Sequence, residues 1–364
     1  MINTNDMETE LYFEVLKTFL RLDSQLPEAC KAIDWKDFFQ FCFRQSIIGV
    51  GFDGIKRHEK ELKGHIDKEL LLKWFAYAEK IAEQNRKVNR RTLELTQLLE
   101  KNGFKSCILK GQGNTLMYPN PCARMPGDID AWVDADRKQI EDYVKSQFSE
   151  MENSEQDIKF PIFPDVVVEL HYKPQLMVRT KYKKRLFEYF DAHKEQQFTH
   201  YVFLPECESK ISIPTTEFNV IFQMSHIMAH FYKEGIGLRQ FIDYYYVLKN
   251  SSCNADIEKE FKYLGMLKFV RGVMWVQKEY LGLDENYLLV EPDKKAGRVI
   301  LNEMVNGGNF GKFDERYSAR KYGYLVRGIT DIYRLMRLSS YFPEDSFAMI
   351  WRKFESQKWK LKSY

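Results

Sequence analysis

The spacing of apolar residues predicts helices over the first hundred positions of the chain. Apolar side chains recur every three or four residues over 11–20, which places them on one face of a helix. The segment 67–100 carries a broad apolar face along its length and is followed by Asn102-Gly103, a pair that is typical of helix C-termini. We therefore predict a helical N-terminal region over residues 1–100.

Beyond residue 100 the pattern changes to short apolar runs between turn residues. Runs of this kind are typical of strands. The predicted strands are 105–109, 128–133, 158–171 with breaks at Pro161 and Pro164, 201–204 and 210–213. A helix capped by Asp136 is predicted between the second and third of them. The region 101–213 is therefore predicted to form a small domain with a mixed sheet.

Helical spacing returns at residue 214 and continues to the end of the chain. A threonine cap followed by Glu217 begins one helix, and a Gly-Ile-Gly break at 235–237 separates it from the next. The longest helical stretch predicted further on is 312–341. The predicted fold class is thus α+β, with the sheet domain between helical regions at 1–100 and 214–364.

Two aspartates separated by one residue are the first candidates for chemistry. Asp128 and Asp130 lie at the start of a predicted strand, where side chains two residues apart point to the same face. Neighbouring carboxylates repel each other unless a cation lies between them, and Mg²⁺ takes oxygen ligands of this kind. Such a pair also occurs at solvated strand ends. Glu169 favours the metal interpretation, because it is the only charged residue in the apolar run 166–170.

The order of these features resembles a known catalytic fold. A short strand leads into a glycine-rich turn, Asp-x-Asp follows on the next strand, and an acidic residue follows on a later strand. This order resembles the nucleotidyltransferase superfamily with the DNA polymerase β-type catalytic fold. The motifs that resemble one bacterial family of uncharacterised nucleotidyltransferases are Leu109-Lys110-Gly111, Tyr118-Pro119, Arg124, Gly127-Asp128-Ile129-Asp130, His226, His230, Gly237-Leu238-Arg239 and Asp243.

The resemblance implies transfer of a nucleoside monophosphate from an NTP to an acceptor, which is a small molecule, an RNA or a protein. Asp128, Asp130 and Glu169 would be the catalytic residues and hold one or two Mg²⁺ ions, and Glu169 could instead accept the acceptor's proton. The residues implied in nucleotide binding are Lys110, Gly111, Gln112, Gly113, Arg124, His226, His230, Arg239 and Asp243. The superfamily turn usually reads Gly-Ser or Gly-Gly, and here Gln112 replaces the residue whose hydroxyl would contact a phosphate.

Other interpretations of these residues stay open. Without the serine, the fold could serve as a non-catalytic module that binds nucleotides or another protein. The basic and aromatic segment 179–190 favours an enzyme that modifies RNA or protein, although an exposed amphipathic helix explains it as well. His226 and His230 could be structural histidines, and Arg239 could pair with Asp243 four residues later. Zinc is disfavoured because no glutamate follows His226.

Composition limits the remaining function classes. The chain of 364 residues has a formal net charge of +3, which gives no argument for nucleic-acid binding. Its six cysteines form no Cys-x-x-Cys pair, so neither a zinc knuckle nor a disulfide framework is indicated. The first residues lack the basic and apolar segments of a signal peptide, and no run approaches the roughly 18 apolar residues of a membrane span. We therefore expect a cytoplasmic protein with reduced thiols and no membrane partner.

Overall fold

The structure, a computed structural model, describes residues 7–22, 25–149, 152–252, 256–317 and 323–362. It is an α+β fold, as predicted, in which a small mixed sheet is flanked along the chain by helical regions on both sides. Among the described residues, no helix combines the length and the apolar character needed to cross a membrane.

The described part of the N-terminal region is helical, as predicted. Its helices are α1 (Met7–Leu20), α2 (Glu28–Lys31), α3 (Trp35–Arg44), α4 (Ile48–Arg57), α5 (Glu59–Leu62) and α6 (Lys68–Lys101). Aspartate caps begin two of them. Asp34 accepts from the backbone N–H of Asp37 at 3.0 Å, and Asp67 accepts from that of Glu69 at 2.9 Å. At 34 residues, α6 is about 50 Å long and can reach from the helical region to the sheet.

The middle of the chain contains the sheet. Its elements are β1 (Ser106–Leu109), α7 (Gly111–Thr115), β2 (Ile129–Val133), α8 (Arg137–Gln147), β3 (Asp157–Lys159), β4 (Val168–His171), α9 (Lys183–Thr199), β5 (Tyr201–Phe203) and β6 (Lys210–Ser212). The strand order is β1-β2-β4-β3, with β2 parallel to β4 and the other two pairs antiparallel. Strands β5 and β6 form a separate hairpin. The parallel pair brings the acidic segments of β2 and β4 side by side.

Helices follow the sheet, with one departure from the prediction. They are α10 (Thr216–Lys233), α11 (Leu238–Asn250), α12 (Ile257–Tyr263), α13 (Leu267–Leu281), α14 (Lys294–Gly307), α15 (Tyr324–Ser339) and α16 (Pro343–Lys362). The prediction of one helical stretch over 312–341 is wrong. A tight turn at Asn309–Gly311 follows α14, and α15 begins only after Gly323, whose φ of 110° is not helical.

Helices from both ends of the chain share one apolar core. Phe13 of α1 meets Tyr280 of α13 edge to face, with ring centroids 4.9 Å apart, and Trp74 of α6 is fully buried in the same core. A second core lies against the sheet, and α6 contributes Val88 and Leu95 to it. Helix α6 therefore belongs to both cores and fixes the sheet against the helices.

Candidate functional site

The register of the parallel strands brings acidic side chains from separate segments together. Asp130 of β2 is paired with Glu169 of β4, and His171 follows two residues later on the same face. Ligand atoms of Asp130, Glu169 and His171 lie within 4.8 Å of one another. Asp128, just before β2, is exposed, and its charge interacts with that of Asp130. We call Asp128, Asp130 and Glu169 the carboxylate cluster.

Two basic groups hold Asp130 in place. The Nζ atom of Lys110 lies 3.1 Å from one carboxylate oxygen of Asp130, and Nε2 of His171 lies 2.9 Å from the other. Burial alone would raise the pKa of Asp130, but Lys110 and His171 outweigh burial and hold that pKa well below its ordinary value. Burial likewise opposes the charged form of His171, and its bond to Asp130 nevertheless raises the pKa of the imidazole. Asp130 is therefore ionised at neutral pH.

The other two carboxylates are less stable as anions. Burial, followed by repulsion from Asp130 and Asp128, raises the pKa of Glu169 to about 7. Repulsion from Asp130 raises the pKa of Asp128. A divalent cation would relieve this repulsion, and the oxygen donors of the cluster fit Mg²⁺. Because Nε2 of His171 is engaged with Asp130, this histidine fits the role of orienting a metal ligand.

We expect the Glu169→Gln variant to be more stable than the metal-free wild type at pH 8, by about 2 kcal/mol. The folded-state pKa of about 7 lies above the ordinary value of 4.5, so the folded protein retains a proton that the unfolded chain loses between these pH values. Wild-type stability therefore falls as pH rises through this window, and the variant lacks that loss. Urea denaturation in EDTA at pH 5 and pH 8 measures the difference. An equal effect of the substitution at both pH values would contradict this environment for Glu169.

The turn after β1 directs a lysine at the cluster. Lys110 has a φ of 49° and a ψ of −135°, a backbone conformation that is uncommon for residues other than glycine, and Gly111 follows with a φ of 41°. This bend allows the Lys110 side chain to reach Asp130. A Cβ atom added to Gly111 would lie 3.7 Å from the carbonyl oxygen of Asp128, so the two segments are in close contact.

A cleft of about 1480 Å³ adjoins the carboxylate cluster. Ligand pockets commonly measure about 300–1,000 Å³, so this cleft has room for more than one ligand. The predicted site residues that line it are Lys110, Gly111, Arg124, Asp128, Asp130, Glu169, His226, His230, Arg239 and Asp243. Gln112 and Gly113 do not line it. The Gln112 side chain donates to Asn89 of α6, and Gly113 packs against Ile213.

Arg124 and Asp243 form a buried ion pair in the wall of the cleft. The Nε and Nη2 atoms of Arg124 lie 2.7 and 2.8 Å from the two carboxylate oxygens of Asp243. The hydroxyl of Tyr118 donates to the same carboxylate at 2.6 Å. Asp243 therefore pairs with Arg124 rather than with Arg239, its neighbour on α11.

Two histidines of α10 line the cleft together. The rings of His226 and His230 meet edge to face, with centroids 4.2 Å apart. His226 hydrogen-bonds with Gln175 at 3.2 Å, and His230 with Glu234 at 2.6 Å. Burial, followed by the positive charge of Lys110, lowers the pKa of His226 well below its ordinary value. His226 is therefore neutral at pH 7 and presents an uncharged ring to the cleft.

The C-terminal part of the chain also lines the cleft, although its sequence pattern predicts no site residue there. The loop 307–311 and α16 both contribute to the lining, the latter through Met349, Arg352 and Lys353. Arg352 donates to the backbone carbonyl of Met177 at 3.1 Å, which ties α16 to the segment after β4. A signal for the loop was present, because three glycines within five residues are typical of a tight turn.

The basic segment 179–190 is engaged in contacts within the fold. Arg179 lies 2.9 Å from Asp345 of α16, and Arg185 donates to the backbone carbonyl of Tyr263 at 2.7 Å. No residue of 179–190 lines the cleft. The aromatic Phe190 is fully buried. This placement matches the amphipathic-helix interpretation of the segment.

Comparison with known proteins relates the chain to one family. A family model described as uncharacterised nucleotidyltransferase matches residues 31–282. No curated protein and no solved structure matches the chain. The matched segment includes the carboxylate cluster, the turn after β1 and helices α10 and α11, whereas the loop 307–311 and helices α15 and α16 lie beyond it.

Proposed function

Because the chain belongs to the uncharacterised nucleotidyltransferase family, we propose that it transfers a nucleoside monophosphate from an NTP to an acceptor in a Mg²⁺-dependent reaction. The observation that carries the proposal is the pairing of β2 with β4, which sets Asp130 beside Glu169 in a cleft large enough for a nucleotide and an acceptor. Asp128, Asp130 and Glu169 are the proposed ligands of one or two Mg²⁺ ions.

In the proposed reaction, an oxygen of the acceptor attacks the α-phosphorus of the NTP. A new phosphorus–oxygen bond forms, the bond from the α-phosphorus to the bridging oxygen breaks, and pyrophosphate leaves with that electron pair. Mg²⁺, when bound, supplies positive charge that stabilises the attacking and leaving oxygens. Glu169, when it does not ligate a second ion, takes up the acceptor's proton. His171 keeps Asp130 oriented.

The side chains around the cluster are the proposed nucleotide ligands. Lys110 and Arg239 supply positive charge to the triphosphate, and Gly111 allows its backbone to approach a phosphate closely. The further proposed contacts are His226, His230, and Arg124 with Asp243, whereas Gln112 and Gly113 do not line the cleft. Because Arg124 and Asp243 neutralise each other, this pair contributes as a positioned polar surface rather than as a net charge.

One contact favours a second candidate function, a module that binds nucleotides without turnover. The ammonium group of Lys110 lies 3.1 Å from Asp130, so a cation of the chain itself already balances the most buried carboxylate of the cluster. If this ammonium keeps its place, it competes with Mg²⁺ for Asp130. In a catalytic cycle, Lys110 would leave Asp130 when the metal binds and would contact the triphosphate instead.

Incubation with each of the four NTPs labelled at the α-phosphate, with and without Mg²⁺, tests the proposal. Small metabolites, RNA and proteins of a cytoplasmic extract serve as separate acceptor pools, since the scattered cysteines favour a cytoplasmic location. We expect label to enter one pool only with Mg²⁺, with one pyrophosphate released per transfer. NTP binding without pyrophosphate release would favour the binding module, and a chain that binds no NTP would contradict both functions.

A further inference from the structure

An aromatic residue enters the cleft on a strained loop beyond the segment that matches the family. Phe310 lies in the turn between α14 and the segment that precedes α15, lines the cleft and is half-buried. Its φ of 55° and ψ of 32° are left-handed, a conformation that bulky residues rarely adopt. A residue persists in such a conformation only when its surroundings hold it there, and residues of this kind cluster at ligand sites.

Glycines in two neighbouring loops allow the close packing that keeps Phe310 in this conformation. A Cβ atom added to Gly237 would come within 2.8 Å of the Cα of Asn309, and one added to Gly235 within 3.1 Å of the Cα of Gly311. The backbone of the loop 307–311 therefore packs directly on the break between α10 and α11. Side chains at either glycine would push the Phe310 loop away.

A buried glutamine fastens the same two segments. Gln45, which is fully buried, donates through its side-chain amide to the carbonyl of Met304 at 3.1 Å and accepts from the backbone N–H of Leu238 at 2.9 Å. The end of α14 and the start of α11 are thus linked through one side chain. The position of Phe310 relative to the helices of the cleft is therefore fixed by the fold.

The neighbours of the Phe310 ring lead towards the carboxylate cluster. Its centroid lies 5.0 Å from that of His230, and the guanidinium carbon of Arg239 lies 5.5 Å from the ring centroid. The Nη1 atom of Arg239 reaches the carbonyl oxygen of Met125 at 3.4 Å, three residues before Asp128. One guanidinium therefore spans the space between the aromatic ring and the segment that carries the first carboxylate.

We propose that Phe310 is the platform on which the base of the NTP stacks. The inference rests on the proposed function, because it uses the triphosphate position near the carboxylate cluster. Carboxylates, a guanidinium and an aromatic ring follow one another along the cleft, an order that suits the metal-bound phosphates, the remaining phosphate charge and the base of a nucleotide. Base–aromatic stacking tolerates every base, and losing one such contact weakens binding by about 5- to 100-fold. Recognition of the base thus comes from a part of the chain outside the matched family segment.

The Phe310→Asn variant tests the proposal, and Phe310→Tyr is its matched control. Asparagine tolerates left-handed backbone conformations, so it removes the ring while the loop keeps its shape. Calorimetry in the presence of Mg²⁺ compares the affinity for the non-hydrolysable α,β-methylene analogues of the four NTPs with that for inorganic tripolyphosphate, which has no base. We expect Phe310→Asn to lower the affinity for the nucleotide analogues about 5- to 100-fold and to leave the affinity for tripolyphosphate unchanged. Phe310→Tyr should bind both as the wild type does, and thermal unfolding confirms that both variants fold.

Three outcomes would overturn the inference. If Phe310→Asn lost equal affinity for the nucleotides and for tripolyphosphate, Phe310 would act only by positioning Arg239. Unchanged nucleotide affinity in Phe310→Asn would place the base elsewhere, while the proposed function would stand on the wild-type binding. A wild-type protein that binds tripolyphosphate but no nucleotide, or neither ligand, would overturn the proposed function and this inference with it.

Discussion

The Asp130→Asn variant is expected to lose about 10²- to 10⁴-fold in the rate of Mg²⁺-dependent nucleotidyl transfer. Asp130 is the most buried residue of the carboxylate cluster, and Lys110 and His171 hold it in its anionic form. Asparagine keeps the shape of the side chain and can still accept a hydrogen bond from His171. It removes the negative charge that would bind a cation, so the loss should appear in metal affinity and in turnover.

Two comparisons separate this loss from unfolding. Mg²⁺ should raise the Tm of the wild type, because a ligand that binds the folded state stabilises it, and it should not raise that of Asp130→Asn. Asp142→Asn is the matched control, since Asp142 is exposed, pairs with Lys138 at 2.7 Å and does not line the cleft. This control should transfer at the wild-type rate. Unchanged transfer by Asp130→Asn, or the same loss in both variants, would show that Asp130 is not a metal ligand.

The candidate carboxylates could be proposed from the sequence because their signals are local. The two-residue period of a strand puts Asp128 and Asp130 on one face, and a single charged residue in an apolar run distinguishes Glu169. That β2 and β4 are parallel neighbours, with Asp130 paired to Glu169, is not a local property. The order of the acidic segments is visible along the chain, whereas their contact follows from the strand register.

Partners that are distant in sequence could not be assigned in the same way. His171 stood in the predicted strand, but its contact with Asp130 depends on the pairing of two strands 41 positions apart. For Asp243 the local candidate was Arg239, four residues away, whereas the partner is Arg124, 119 positions earlier. The periodicity of a sequence predicts on which face of a helix a side chain lies. It does not predict the contacts of that face, which here depend on the packing of α11 against the segment before β2.

The wrong helix prediction over 312–341 has a tertiary cause. Arg316 lies 3.0 Å from Glu303 of α14 and 2.7 Å from Asp314, and these residues are largely buried. These ion pairs hold the segment after the Phe310 loop against α14, where residues 315–317 form a short 3₁₀ turn rather than an α-helix. A buried charge requires such partners, and this requirement outweighs the weak helical propensity of a short segment. Phe310 lies just before this segment, in a left-handed backbone conformation that a helical spacing pattern does not indicate.

The Asp243→Asn variant is expected to lower the free energy of unfolding by about 3–5 kcal/mol. Asp243 and Arg124 are each 5% exposed, so the substitution leaves a buried guanidinium without its counter-charge. Burial alone would raise the pKa of Asp243, but Arg124 and the hydroxyl of Tyr118 outweigh it and lower that pKa. The pair is therefore charged at neutral pH, and its contribution to stability is lost only as pH falls below the ordinary range of an aspartate.

Urea unfolding of three proteins then separates a structural role of this pair from direct nucleotide binding. The double variant Arg124→Met/Asp243→Leu removes both charges and fills the space with apolar groups, so it should recover most of the stability that Asp243→Asn loses. If Asp243 contacts the nucleotide directly, the KM for NTP would rise in Asp243→Asn and stay raised in the double variant, although the double variant regains stability. A stability loss that the double variant recovers, with NTP affinity retained in the folded double variant, would assign Arg124 and Asp243 to the scaffold and leave Lys110 and Arg239 as the cations that meet the triphosphate.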